Sequence, residues 1–254
     1  MNLEEDYLIA YFELIATLKT YAPSFQEVIA LIDLTLLDES ASETDLINLC
    51  EKANHHQVAA VCVLANHLQN LNLQPEIRLA TVVNFPEGNQ KNEDVMAAID
   101  IILTNHRVHE IDYVFPYQAY LEGKQQLAIT QCHEVYKLCQ QEKIVFKVIL
   151  ETGALPSLNV IYQLSSEILG GGCDFLKTST GKIIQGATLA AAFAMLKAIK
   201  DNNAHCGLKI SGGIKTPEQA FSYMALAQQQ FGLKPHNSWF RIGASSLLDI
   251  LVRH

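Results

Sequence analysis

The chain has 254 residues, 18 Lys and Arg against 27 Asp and Glu, a formal net charge of −9, and 49% apolar and 18% charged residues. Such a composition is globular rather than disordered, and the length buries a full core without disulfide or metal staples. The acidic balance (pI about 5.4) argues against nucleic-acid and anionic-membrane surfaces, which need clustered Lys and Arg, yet it permits one anionic small molecule held by local donors.

Residues 2–21 read as an extra helix ahead of the first strand, covering the lower end of a barrel. The opening stretch MNLEEDYLIAYF is acidic where a signal peptide is basic, and no segment reaches the ~20 continuous apolar residues of a membrane span. The sequence therefore reads as cytoplasmic. Eight short β-branched apolar runs follow, at 28–34, 58–64, 78–85, 110–115, 144–150, 173–179, 207–212 and 239–243. Helical patterns occupy 43–56, 93–105, 124–141, 157–169, 187–201, 216–229 and 245–253. Ser42 ahead of Glu43 and Asp45, and Thr216-Pro217-Glu218, supply start signals for two of them.

Without a low-complexity tract, charge run or Gly/Ser linker, residues 1–254 read as one domain, with the barrel over 28–250. Repeated strand–helix units imply parallel strands joined by right-handed crossovers, and eight of them predict an α/β fold of the (β/α)8, or TIM-barrel, type. The competing open, doubly wound sheet predicts a Gly-rich turn after the first strand, where the sequence reads Leu34-Thr35-Leu36-Leu37-Asp38.

Inward-facing strand residues of such a barrel should be bulky and apolar, and active sites gather at the C-terminal strand ends. Polar residues inside the runs are therefore informative: Asp33, Asp112, Lys147, Lys177 and Lys209. Lys177 and Lys209 take equivalent places in consecutive runs, and neighbouring strands lie only ~4.8 Å apart. Crowding and burial both disfavour two charged ammonium groups, so one amine becomes neutral near pH 7 and can attack a carbonyl carbon. Snorkelling of each lysine to solvent is the plainer alternative. Asp112 needs a cationic partner or a proton to shuttle, and the two roles are compatible. Asp33 reads as a cap on the turn after the first strand, Lys147 as barrel filler paired to an acid, and Cys62 as packing.

Glycine-bearing turns follow the last three runs: Thr178-Ser179-Thr180-Gly181-Lys182, Ser211-Gly212-Gly213 and Gly243-Ala244-Ser245-Ser246. Glycines admit a ligand close to the backbone while N–H groups and hydroxyls donate to phosphate oxygens, and the last loops of this fold are its usual phosphate cradle. Lys182 adds a point charge at the rim. The histidines at 55, 56, 106 and 109 show no metal-ligand spacing and read as surface residues. The six cysteines form no CxxC pair and sit mostly in apolar runs, as buried thiols of a reduced compartment do.

These motifs together resemble the deoxyribose-phosphate aldolase family. The resemblance is carried by Phe175-Leu176-Lys177-Thr178-Ser179-Thr180-Gly181-Lys182, Asp112-Tyr113-Val114-Phe115-Pro116 and Lys209-Ile210-Ser211-Gly212-Gly213. Further matches at Ile32-Asp33-Leu34-Thr35, Lys147-Val148-Ile149-Leu150-Glu151-Thr152-Gly153 and Arg241-Ile242-Gly243-Ala244-Ser245-Ser246 extend it over roughly residues 28–250. It implies a class I aldolase, without metal or organic cofactor, that cleaves 2-deoxy-D-ribose 5-phosphate to D-glyceraldehyde 3-phosphate and acetaldehyde in deoxynucleoside catabolism. By the same resemblance Lys177 is the Schiff-base lysine, Lys209 the lysine that perturbs it, and Asp112 the acid/base carboxylate. Asp33 and Thr35 line the same pocket, and Thr180, Gly181, Lys182, Gly212, Gly213, Gly243, Ser245 and Ser246 bind the substrate, chiefly its phosphate. A monomer or homodimer is expected.

Some bacterial members, the resemblance implies, end in a tyrosine-bearing tail that assists enamine protonation. This sequence ends Leu251-Val252-Arg253-His254, so the expectation is that water held by Asp112 serves, that another group substitutes, or that turnover is slow, with His254 a frayed terminus. Two rival readings are an aldolase or transaldolase for a longer sugar phosphate, and a catalytically idle sugar-phosphate sensor on the same barrel. A sensor needs the glycine turns but has no use for the paired amines.

Overall fold

In the computed structural model, which describes residues 2–69 and 71–253, eight parallel strands close into a barrel in sequence order. They are β1 (Ile32–Leu36), β2 (Ala60–Val63), β3 (Arg78–Val83), β4 (Glu110–Val114), β5 (Val145–Ile149), β6 (Phe175–Lys177), β7 (Gly207–Ser211) and β8 (Phe240–Ala244). Period-two alternation divides each strand between two environments. Ile32, Leu34, Val61, Val63, Ile111, Phe146, Val148, Leu176, Leu208, Ile210 and Ile242 join one buried apolar cluster with the helices. Cys62, Ala80 and Val82 form a separate small cluster on the inside. At the floor, Gly207 leaves room for the Phe175 ring, which a Cβ there would strike.

The outer layer holds α1 (Leu3–Leu18), α2 (Phe25–Ile29), α3 (Glu43–His56), α4 (Asn92–Asn105), α5 (Tyr117–Leu121), α6 (Gln125–Gln141), α7 (Leu158–Gly171), α8 (Leu189–Asp201), α9 (Pro217–Phe231) and α10 (Leu247–Leu251). Caps fix where several begin. Ser42 and Asp45 form a reciprocal capping box at α3, and Thr216 and Gln219 do the same at α9, with Pro217 at the first helical position.

Three features differ from the sequence reading. The run at 28–34 divides, because Ser24 and Glu27 cap a short helix through Ile29 and the strand starts only at Ile32. A short helix absent from the reading, α5, stands between β4 and α6, whereas the β2–β3 connection, where no helix was expected, carries only a 3₁₀ turn, Ala65–His67. The N-terminal helix α1 packs chiefly on α9, α8 and α7 rather than across the lower strand ends; its Leu3, Ala10 and Leu14 are buried, and the Tyr7 ring meets Phe193 of α8. His254 lies outside the described residues, and among those described no helix is long and apolar enough to cross a membrane.

Candidate active site

Strand pairing gathers the inward polar residues into one layer. Asp112 of β4 lies opposite Lys147 of β5, Lys177 of β6 opposite Lys209 of β7, and Lys209 opposite Arg241 of β8. Lys147 Nζ lies 2.5 Å from Glu110 Oε2, 2.7 Å from Asp112 Oδ1 and 3.6 Å from Asp33 Oδ2. Lys209 Nζ lies 2.6 Å from Asp33 Oδ2 and 2.7 Å from Asp112 Oδ2. Lys177 Nζ donates to that same Asp112 Oδ2 at 2.7 Å, its one carboxylate partner among the described residues. Arg241 completes the layer, with Nη1 2.7 Å from Asp33 Oδ1 and Nη2 3.2 Å from Glu110 Oε1. All seven side chains are buried.

The charge count decides how this layer titrates. Four cations (Lys147, Lys177, Lys209, Arg241) meet three carboxylates (Asp33, Glu110, Asp112), one positive charge more than can be paired. A buried unpaired charge is costly and is relieved by losing its proton. Burial pushes the Lys177 amine below the usual lysine range and Lys209 adds to the effect, although Asp112 opposes both. Burial acts on Lys209 and Lys147 too, but the carboxylates outweigh it and hold both above the ordinary value. The Asp112 carboxyl, despite burial, is held well below the usual range by Lys147, Lys177 and Lys209. Lys177, the lysine with fewest carboxylate partners, is thus the one that holds its proton least tightly.

Lys177 is also the member of the layer that borders open space. A cavity of about 270 Å³ stands over it at the C-terminal strand ends, bounded by the loops after β1, β6, β7 and β8. Thr35, Thr180, Gly181, Lys182, Gly212, Gly213, Gly243, Ser245 and Ser246 line it. Asp112 and Lys209 are fully buried and do not line it. Asp33 is placed differently from both sequence readings: it neither caps a turn nor faces the cavity, but sits fully buried between Lys209 and Arg241.

Three rim glycines hold left-handed backbone. Gly181, Gly212 and Gly213 hold φ of 79°, 89° and 87°, in the region that favours glycine. Gly243 has another use: a Cβ there would come within 3.0 Å of Lys209 Cε, so its missing side chain makes space for that lysine. Lys182, exposed at the rim, donates from Nζ to the Leu37 carbonyl at 2.7 Å and stands 6.0 Å from the centre of the Phe85 ring. Thr180 gives both its N–H and its hydroxyl to Glu151.

Sequence reasoning passed over Glu110, Arg241 and Glu151. The first two had a legible signal, since Glu110 precedes Asp112 by two residues and Arg241 precedes Gly243 by two, each sharing its partner's strand face. Glu151 lies just beyond β5 in left-handed backbone, φ 54°, which no strand pattern foretells. Cys62 is fully buried beside the lysines, with its thiol pushed up by burial. His109 is not free at the surface: its Nδ1 accepts the Leu79 N–H at 3.0 Å, and burial lowers its pKa. Among the described residues no three His, Cys, Asp or Glu side chains are grouped to hold a metal ion.

A parallel (β/α)8 barrel with a lysine–carboxylate cluster under a glycine-rimmed cavity defines an enzyme that works on a small molecule at its C-terminal strand ends. The comparison with known families gives the narrower answer. The DeoC/LacD family aldolase model matches residues 27–253, and the chain belongs to that family. It is thus an aldolase, a carbon–carbon lyase.

Solved structures agree on the fold. A provisionally assigned deoxyribose-phosphate aldolase from Coccidioides immitis is 24% identical at a TM-score of 0.79, covering 100% of this chain and 98% of that one. QR15, described as an aldolase, is 25% identical at a TM-score of 0.76, covering 89% and 95%. The deoxyribose phosphate aldolase of Aeropyrum pernix, described as a unique tetramer, is 22% identical at 0.77, covering 94% and 95%.

Proposed function

We propose that this aldolase cleaves 2-deoxy-D-ribose 5-phosphate reversibly to D-glyceraldehyde 3-phosphate and acetaldehyde through a Schiff base on Lys177, as a step of deoxynucleoside catabolism in the cytoplasm. The observation that carries the reading is the surplus cation: of the lysines in the layer, the one held below its ordinary pKa is the one that opens to the cavity.

Neutral Lys177 attacks C1 of the open-chain sugar. Forming the carbinolamine and losing water require protons to move, and Asp112 shares one oxygen between Lys177 and Lys209. With all three lysines charged, they hold the Asp112 carboxyl down despite its burial. When Lys177 is neutral one of the three is gone, so the carboxyl becomes a better proton acceptor at the stage that uses it. The protonated imine then draws electrons as the C3 hydroxyl gives up its proton. The bond that opens is C2–C3, because acetaldehyde carries away C1 and C2. The enamine left on Lys177 is protonated at carbon and hydrolysed. Gly181, Gly212, Gly213, Ser245, Ser246 and Lys182 supply backbone N–H groups, hydroxyls and one charge for the phosphate.

Borohydride reduction in the presence of substrate tests this directly. Label is expected on Lys177, and Lys177→Leu should lose turnover by orders of magnitude while still binding phosphate esters. An active sample that traps no label, or traps it on another lysine, refutes the assignment. Release of acetaldehyde, rather than of a ketose fragment from a longer sugar phosphate, identifies the substrate.

A further inference from the structure

Glu151 is a buried carboxylate that the chemistry above does not use. It is fully buried, makes no ion pair among the described residues, and sits in a left-handed conformation (φ 54°, ψ 58°) that side-chain-bearing residues rarely adopt. Neighbouring backbone fixes its position: Leu150 N–H donates to Lys177 O and Thr152 N–H to Thr178 O, both at 2.9 Å. Its carboxylate points across the top of β6 and takes both donors of one residue, the N–H of Thr180 at 3.3 Å and the Thr180 hydroxyl. The Thr180 oxygen, its proton committed to Glu151, then accepts the Lys182 N–H at 3.0 Å. The relay runs from Glu151 through Thr180 to the turn that places Gly181 and Lys182 on the cavity rim.

We propose that Glu151 is a positioning residue that sets the turn Gly181-Lys182 through Thr180, so that its contribution falls on holding the phosphate end of the substrate and not on imine formation. This rests on the reading above that the turn binds phosphate. Support comes from the uneconomical way the carboxylate is held: burial raises its pKa and only the bonds from Thr180, with a lesser effect of Lys177, act to lower it. A group whose sole task was to fill space at this point would pack better without a charge. Thr180, in turn, has no free proton for a phosphate oxygen, so its place on the rim is that of a strut.

The test separates the phosphate end from the aldehyde end. Acetaldehyde alone, with borohydride, reports imine formation at Lys177 without engaging the phosphate site; inorganic phosphate, as a competitive inhibitor, reports that site alone. Thr180→Val and Glu151→Ala should each raise KM for deoxyribose 5-phosphate and the inhibition constant for phosphate by roughly tenfold or more, the scale of a lost charge-assisted hydrogen bond. Trapping by acetaldehyde and kcat should change by less than about threefold. Thr180→Ser should restore the parent values, and the double variant should be no worse than the more impaired single one, because both remove the same relay. A matched fall in trapping and kcat with KM unmoved, or additive losses in the double variant, overturns the proposal. Should Glu151→Ala not fold, Thr180→Val against Thr180→Ser decides by itself. Absence of trapping in the parent enzyme would instead strike the Schiff-base reading.

Discussion

Replacing Lys209 with methionine tests the charge count. Lys177 and Lys209 each lie 2.7 Å from the same Asp112 oxygen, so their nitrogens are at most about 5.4 Å apart, twice 2.7 Å. At an effective dielectric constant of about 20, two positive charges at that separation repel by roughly 3 kcal/mol, or about two pKa units. Lys209→Met removes this repulsion and leaves three cations for three carboxylates. Every acid keeps a partner: Asp33 with Arg241, Glu110 with Lys147, Asp112 with Lys177. The barrel should fold, but Lys177 is then held protonated. On the proposed chemistry the neutral amine is the nucleophile, so activity falls below the Lys177 pKa, and raising that pKa moves the acid limb of the kcat/KM profile upward by about two units. At pH 7 the loss is expected to be about a hundredfold, with partial recovery as the pH is raised. Rates of imine trapping measured from pH 6 to about pH 10 give the limb directly. A variant whose trapping declines equally at every pH, with the limb in place, shows that Lys209 does not set the charge of Lys177.

Gly243→Ala brings a methyl group within 3.0 Å of both Lys209 Cε and Ser211 Cβ; we expect a loss of about 1–3 kcal/mol in urea unfolding and a fall in kcat of tenfold to a hundredfold, since Lys209 must move. Asp33→Asn leaves Lys209 and Arg241 facing a neutral amide and should cost about 3–5 kcal/mol. Lys209, Arg241 and Lys147 overcome burial to hold the Asp33 carboxyl below its ordinary range, so its contribution is complete above the unfolded value of about 4 and fades as pH falls toward the depressed folded one. The stability gap between parent and Asp33→Asn should accordingly be flat from about pH 5 to 8 and narrow only in stronger acid.

The barrel was legible because its signal is repeated. Each strand–helix unit restates the same alternation, and caps such as Ser42 and Thr216 punctuate it. The lysines were legible for the opposite reason, as charges interrupting apolar strands. What the sequence concealed depends on closure. Asp33 and Arg241 lie 208 positions apart and meet only because β8 pairs with β1. The 3₁₀ connection after β2 and the left-handed backbone of Glu151 arise from loop paths that no periodicity encodes. Gly243 resembles a phosphate-loop glycine in sequence, and its clearance for Lys209 becomes visible only with the neighbouring strand in place.

A barrel interior filled with seven ionisable groups is a poor way to gain stability, since well-packed apolar side chains of like volume do at least as well. Closed strands bring polar side chains from β1, β4, β5, β6, β7 and β8 within contact of each other. The cost is limited because three opposite pairs cancel, and what remains is one unbalanced proton. A single buried lysine lowered by burial alone would have its pKa fixed by packing and would recover its charge wherever water entered. In the arrangement found here the deficit of carboxylates favours loss of one proton, and burial directs it to the lysine least well paired. The reactivity proposed for Lys177 is thus a property of the whole layer. Substitutions at Glu110 or Arg241, which do not line the cavity, should shift the pH at which the amine reacts, and in opposite directions: removing Arg241 takes away the surplus and raises the Lys177 pKa, whereas removing Glu110 deepens the surplus and lowers it.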